Sequence, residues 1–462
     1  MEPLTDTVRK EATDLYRFID PLIRMCADIR DREYPVYPEP TLKFLRHIEC
    51  LGRETQEFLS NFPVEVSKDP RTAYSKRQKL LSLRAGWEIL HEYLRPALAA
   101  DTLHLPTPLI LALQDKINAT DDLQDVKFTL FHTDRANYLQ VPSGLAREFA
   151  NDIADLVSGT HFPPRLGLVG IPYSQGDGFF LNCLLPHEMG HFIYQEDAVV
   201  DIENEIDHAL ERMEHDTGPL NDQDLSLCRD TLGRWVEETF CDLFAICLIG
   251  PAYSFALIEL TGASLLVGGP SSRIDDFYFF VQDHPAEIAR FHSHYNLLND
   301  LGWWRDIENW ASSSVDVLKL CKDKSTDLHV TSTVPDQVGE VRLLQCYWEV
   351  CDWLRPFVSS ILPPCSEDLT QFETQADTVS EYLRRAVVPS SIIVGKLMVH
   401  PTPVVLINAA FRFFLTSLST LIDNIDGKDK DSVADRSKYS ERLELWMLKA
   451  LEDHRLLTRQ AT

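Results

Sequence analysis

Apolar residues recur three and four positions apart through most of the first 125 residues. LYRFIDPLIRMCADI, TLKFLRHIECLGRETQEFL and LSLRAGWEILHEYLRPAL all carry this spacing. A repeat near 3.6 places those side chains on one helical face, so the pattern predicts amphipathic helices. Pro-rich stretches, YPVYPEPT and LHLPTPL, interrupt them. The opening run MEPLTDTVRKEATDLYRF alternates charged and apolar residues without a signal-type apolar core, and also reads as an amphipathic helix.

The period changes at 126–142. VKFTLFHTDRANYLQVP alternates and is rich in β-branched and aromatic residues, which predicts two strands turning at TDRAN. LGLVGIPY at 166–173 is a further strand candidate. Helical spacing returns in VVDIENEIDHALERMEHD (199–216), in TLGRWVEETFCDLFAICLI (231–249) and through most of 300–462. The polar, charged segment DNIDGKDKDSVADRSKYS (423–440) reads as a flexible loop. The expected fold is mainly α with a small β-sheet (α+β), in three regions: helical 1–125, a mixed region 126–299, and helical 300–462.

Composition narrows the partners. With 44 Lys+Arg against 71 Asp+Glu in 462 residues, the net charge of −27 repels phosphate backbones and anionic lipid. Nucleic acid and bare membrane are therefore poor partners, and a basic peptide or protein surface is a better match. CDLFAICLIGPAYSFALIEL and PTPVVLINAAFRFFLTSLSTLI are interrupted by Pro, Gly or Arg or carry an acid, and read as core helices. Ten cysteines without a CxxC pair suggest reduced, mostly buried thiols and a cytoplasmic protein. The chain has no phosphate-loop, GxGxxG or GxSxG motif.

The candidate chemistry lies in LLPHEMGHFIY, residues 184–194. His187 and His191 are four positions apart, one turn plus about 40°, so both imidazoles leave one helix face and can grip one Zn²⁺. Glu188 lies about 100° away, a poor position for a ligand but a suitable one for a general base acting on water. Pro186 lacks an N–H and has a fixed φ, so it is compatible with a helix starting there. With 15 histidines in the chain, a chance match to this motif has a probability of roughly a few per cent, so a third ligand is required.

WVEETFCDLFA supplies one. Glu238 and Asp242 are again four apart, in an otherwise apolar helix. Burying carboxylates there is costly unless they are paired or bind a metal. Glu238 is the candidate third ligand, and Asp242 the acceptor for the outer N–H of a ligand histidine. Glu237 points about 100° away from Glu238 and reads as solvated.

HEMGH followed by EETFCD resembles the gluzincin class of zinc metallopeptidases, with HExxH on one helix and ExxxD on a later one. The resemblance implies His187, His191 and Glu238 as zinc ligands, Glu188 as catalytic base and Asp242 as orienting residue. It makes 126–299 a zincin-like catalytic region. A strand before the zinc helix, 166–173, would then bind an extended peptide by edge pairing. DHPAEIAR at 283–290 is similar to the HPxxxxR element of the Ste24/HtpX-like branch. That similarity makes His284 or Arg290 a candidate for stabilising an oxyanion or holding a substrate carboxylate. An ordinary helix start accounts for the same residues.

Tyr253 ends the third-ligand helix and is a candidate oxyanion donor at a cleft wall, or else a packed aromatic. Gly176 and Gly178 precede the zinc helix and could form a mobile lip. His292 and His294 read as packed or surface residues, and Trp303, Trp304 and Trp310 as helix packing.

The expected function is that of a zinc-dependent metallopeptidase acting on a protein or peptide substrate, with partner proteins docking on the helical flanks. The alternative is a helical partner-binding or scaffold protein whose zinc site is structural or inactive.

Overall fold

The computed structural model describes residues 2–31, 39–62, 70–98, 105–133, 139–141, 143–162, 165–172, 178–261, 277–281, 283–310, 312–322, 328–331, 334–335, 338–364, 366–426 and 433–461. The TDRAN turn from residue 134 onward, Gly176 and residues 427–432 lie outside them.

The protein is mainly helical with small β-sheets, as the periodicity predicts. Its elements in order begin α1 (Glu2–Arg30), α2 (Glu39–Ser60), α3 (Pro70–Leu98), α4 (Thr107–Ile117), β1 (Lys127–Thr133), β2 (Leu139–Val141), α5 (Ser143–Val157) and β3 (Leu166–Pro172). They continue with α6 (Leu185–Ile193), α7 (Val199–Thr217), α8 (Asp222–Ile249), α9 (Pro251–Thr261), β4 (Phe279–Phe280), α10 (Glu287–Asp300), α11 (Trp304–Ile307), α12 (Ser313–Leu320) and β5 (His329–Val330). Last come α13 (Glu340–Ile361), α14 (Ser366–Arg384), β6 (Ile392–Val394), β7 (Leu397–Val399), α15 (Pro403–Asp426) and α16 (Val433–Ala461).

Two compact units emerge, Met1–Leu105 with Asp125–Asp177, and Pro106–Gln124 with Gly178–Thr462. These boundaries differ from the three regions read from the sequence. β1, β2 and β3 group with the N-terminal helices, and the histidine motif groups with the C-terminal ones.

In the first unit, α1 buries Leu15, Ile19, Leu22 and Cys26, and α2 buries Phe44, Leu45, Ile48 and Leu51. Their three- and four-residue spacing turns each stripe inward. Trp87 of α3 is fully buried, and its indole N–H donates to Thr55 Oγ1 at 3.3 Å. β3 is the middle strand of its sheet, parallel to β1 from Lys127↔Leu166 to Thr133↔Pro172 and antiparallel to β2. The expected hairpin is thus corrected, because β1 and β2 each pair with β3 instead of with each other. The expected free edge at 166–173 is corrected too, since both sides of β3 are already hydrogen-bonded. Leu168, Val169 and Ile171 are buried on both faces, as the apolar run of a central strand requires.

In the second unit, α8 is the hub, in contact with α6, α7, α10 and α13. Asn221 caps its start by accepting the Asp224 N–H at 2.9 Å. Gly250, with φ of 69°, ends it in a conformation that side chains resist. Asn408 of α15 bridges the break between α8 and α9. Its amide donates to Ile249 O and its oxygen accepts the Ala252 N–H. Residues 403–423 are long and apolar enough to cross a membrane by length and composition, and here Val405, Leu406, Phe411 and Phe413 are buried in the unit. The loop expected at 423–440 is shorter than its composition suggests, because α15 runs to Asp426 and α16 starts at Val433.

Candidate metal centre

Pro186 is the second residue of α6, in the first turn, where its missing N–H disrupts nothing. A 3₁₀ turn, Leu181–Leu184, precedes it, and the Leu185 N–H closes on Asn182 O. The break therefore lies before the motif, and His187 and His191 share an unbroken turn. Their rings stand edge to face, with centroids 4.9 Å apart.

Close contact between α6 and α8 creates the site. A Cβ added at Gly190 would lie 3.0 Å from Cys241 Cα and 3.3 Å from its Cβ, so any other residue would force the two helices apart. Two rows of α8 then face α6, one through Glu237 and Cys241 and the other through Glu238 and Asp242.

The Glu238 carboxylate faces both imidazoles. Its Oε2 is 3.4 Å from His187 Nε2, and its Oε1 is 3.6 Å from His191 Nε2. In a tetrahedral site with bonds of about 2 Å, neighbouring donors lie about 3.3 Å apart. Donor atoms of His187, His191 and Glu238 all lie within 4.8 Å of one another, so the three could hold a metal ion.

The outer nitrogens are anchored. His187 Nδ1 is 2.9 Å from Asp242 Oδ1, and His191 Nδ1 is 2.9 Å from Glu237 Oε1. In the neutral imidazoles that metal ligation requires, those Nδ1–H groups donate to the carboxylates and both Nε2 lone pairs point to the Glu238 side. Asp242 thus lies against the outer nitrogen of His187. Glu237 is a correction: it is only partly exposed and holds His191, because the close crossing brings its row against α6.

Asp242 is fully buried and is the most heavily bonded carboxylate of the group. Arg290 of α10 donates to it twice, Nε to Oδ2 at 2.8 Å and Nη2 to Oδ1 at 2.7 Å, and the Tyr253 hydroxyl donates to Oδ1. His294 Nε2 lies 3.2 Å from Oδ2. Burial works to raise the Asp242 carboxyl, but the Arg290 charge outweighs it and holds the group well below the usual range. Burial likewise opposes ionisation of Glu238, and hydrogen bonds from His187 and His284 with the Arg290 charge reverse it. Burial disfavours a charged His187, yet Asp242 and Glu238 together push it up to about 10 in the metal-free protein.

Two oxyanion candidates are corrected by this arrangement. Arg290 is 7% exposed and spends its fork on Asp242, so it positions that carboxylate and is not available to a substrate. Tyr253 is fully buried, on the Nδ1 side of His187 with its hydroxyl 3.1 Å away, and is a packed aromatic rather than a cleft wall. His284 stands differently. Its side chain is 57% exposed with Nδ1 3.4 Å from Glu238 Oε2, and that hydrogen bond raises the imidazole above its ordinary value. Two contacts from α8 strap its turn: the Trp235 indole N–H donates to Val281 O at 2.7 Å, and Arg234 pairs with Asp283 at 2.6 Å.

Glu188 is partly exposed on α6, and among the described residues no hydrogen bond or ion pair engages its carboxylate. Among the described residues, the remaining histidines join no second group that could hold a metal ion. His292 and His294 are buried, the former with Nδ1 3.0 Å from Cys321 O. Trp303, Trp304 and Trp310 are buried against Phe372, Tyr295 and Phe255.

What sequence reading misses is Glu237, Gly190 and the tie from Asn408. Glycine inside HExxH is the one available signal for a close helix approach. No family model, curated protein or solved structure matches the chain.

Proposed function

We propose that the protein is a zinc-dependent metallopeptidase of gluzincin type. The observation that carries this reading is the convergence of both Nε2 atoms on the Glu238 carboxylate, with each Nδ1 held by its own acid. Two imidazoles and one carboxylate at tetrahedral spacing form a donor set suited to zinc, and three protein donors leave one position open, as catalytic sites do. Zinc bound there would polarise a scissile carbonyl and acidify a water.

The residues divide the remaining work. Glu188, one position after His187 and unengaged, takes the proton of the attacking water at its carboxylate and returns it to the leaving amine. His284, exposed beside Glu238, donates to the substrate oxygen that gains charge. Asp242 and Glu237 hold the imidazole tautomers, and Arg290 holds Asp242. The net charge of −27 favours a basic peptide or protein substrate.

The test is Glu188→Gln in the full chain, assayed against a mixed peptide library read by mass spectrometry. Wild type cleaves after zinc loading, and the variant retains zinc but loses cleavage by at least about a hundredfold. Equal cleavage by the two proteins overturns the assignment.

A further inference from the structure

A cavity of about 680 Å³ opens in the second unit between α4, the end of α13 and the starts of α14 and α15, with α16 closing one side. None of its lining residues belongs to the metal centre. Its volume lies within the range of small-molecule sites, about 300–1,000 Å³. Ala119 and Pro363 are exposed on the lining and Pro403 is half-buried, so part of the surface open to a ligand is apolar, while Leu362, Leu451 and Val404 are buried behind it.

The polar wall is unequal in charge. Asp115, Asp121, Asp122 and Asp368 face only Lys116 and Arg455. Both bases are engaged by acids of the same wall, Lys116 Nζ with Asp368 at 2.6 Å and Arg455 Nε with Asp115 at 2.8 Å. Thr402 Oγ1 donates to the other Asp368 oxygen at 2.7 Å, which fixes that pair. Burial lowers His454, so it adds no positive charge at neutral pH. Asp121 is exposed on the lining, and among the described residues its Oδ1 accepts only the neutral amide of Gln124, at 3.1 Å. An anion entering here would have to break an existing ion pair and would still face the carboxylates. A cation meets the exposed Asp121 charge without breaking either pair, while an apolar body covers the Ala119, Pro363 and Pro403 surface.

We propose that this cavity binds a small organic cation, an ammonium group carried on an alkyl or arylalkyl body. The site is independent of the metal centre.

Isothermal titration of the full chain with 4-phenylbutylammonium and with its neutral analogue 4-phenylbutan-1-ol tests this. The ammonium binds saturably and at least about tenfold more tightly than the alcohol, and added NaCl narrows the gap. Asp121→Asn reduces the ammonium preference several-fold, and Ala119→Trp, at an exposed position on the lining, abolishes binding of both ligands. Both variants keep the wild-type circular dichroism and zinc content. The proposal is overturned by no saturation up to about 10 mM, by equal binding of ammonium and alcohol, or by unchanged ammonium binding in both variants.

Discussion

Gly190 of α6 meets the backbone of Cys241 on α8 so closely that a methyl carbon added at residue 190 would lie only 3.0 Å from the Cys241 Cα. Neither side can yield cheaply, because the obstacle is main chain in the middle of a buried helix. Gly190→Ala therefore pushes α6 away from α8, at a cost of about 1–3 kcal/mol. The same shift separates the imidazoles from Glu238. Zinc affinity, measured by chelator competition, should fall by more than tenfold in this variant. Unchanged affinity would show that the close crossing does not set the ligand geometry.

Glu237 and Asp242 do the same job for different histidines, but their surroundings predict different outcomes. Glu237 is partly exposed, and Glu237→Gln should lower metal affinity about tenfold to a hundredfold with little loss of stability. Asp242→Asn removes the closest counter-charge of the buried Arg290 guanidinium and leaves it only the longer contacts to Glu238 and Glu287, at 3.9 and 3.8 Å, at a cost of about 3 kcal/mol. Urea denaturation of both variants, without metal, separates the two roles. Similar midpoints for the two would contradict the assignment of Arg290 to Asp242.

The metal-binding spacing is legible in the sequence because it is local. His187 with His191, and Glu238 with Asp242, are one helical turn apart whatever the tertiary structure. Glu237 is not legible, because a single helical wheel faces one row of α8 toward the site, whereas the Gly190 crossing admits two. Arg290 and Tyr253 can be placed near the motif from their positions in the chain, but not on one side of an imidazole or the other. Both meet the Nδ1 side. The strand order is hidden for a similar reason. Alternation marks β1 and β2 as strands, but nothing local states that β3 will insert between them. At 433–440 a polar, charged surface imitates a loop, where α16 is helical.

His47 predicts an acid-labile first unit. It sits in α2 against the Phe162 ring, centroids 4.8 Å apart, and burial pushes it down to about 4, with Glu54 opposing and His161 adding to the shift. A depressed histidine keeps its proton off in the folded state. Its contribution is therefore fully present above pH 6.5 and is lost as pH falls from 6.5 toward 4. His47→Leu should flatten the fall in urea midpoint between pH 7 and pH 4.5. A wild-type slope in the variant would remove His47 from the explanation.

Whether His187, His191 and Glu238 hold zinc is decided by the metal content of the purified full chain, measured by inductively coupled plasma mass spectrometry beside Glu238→Ala. Wild type should hold close to one zinc per chain after zinc loading and buffer exchange, and Glu238→Ala should lose most of it. Zinc-free wild-type protein, or a variant that retains zinc at the wild-type level, would contradict that assignment.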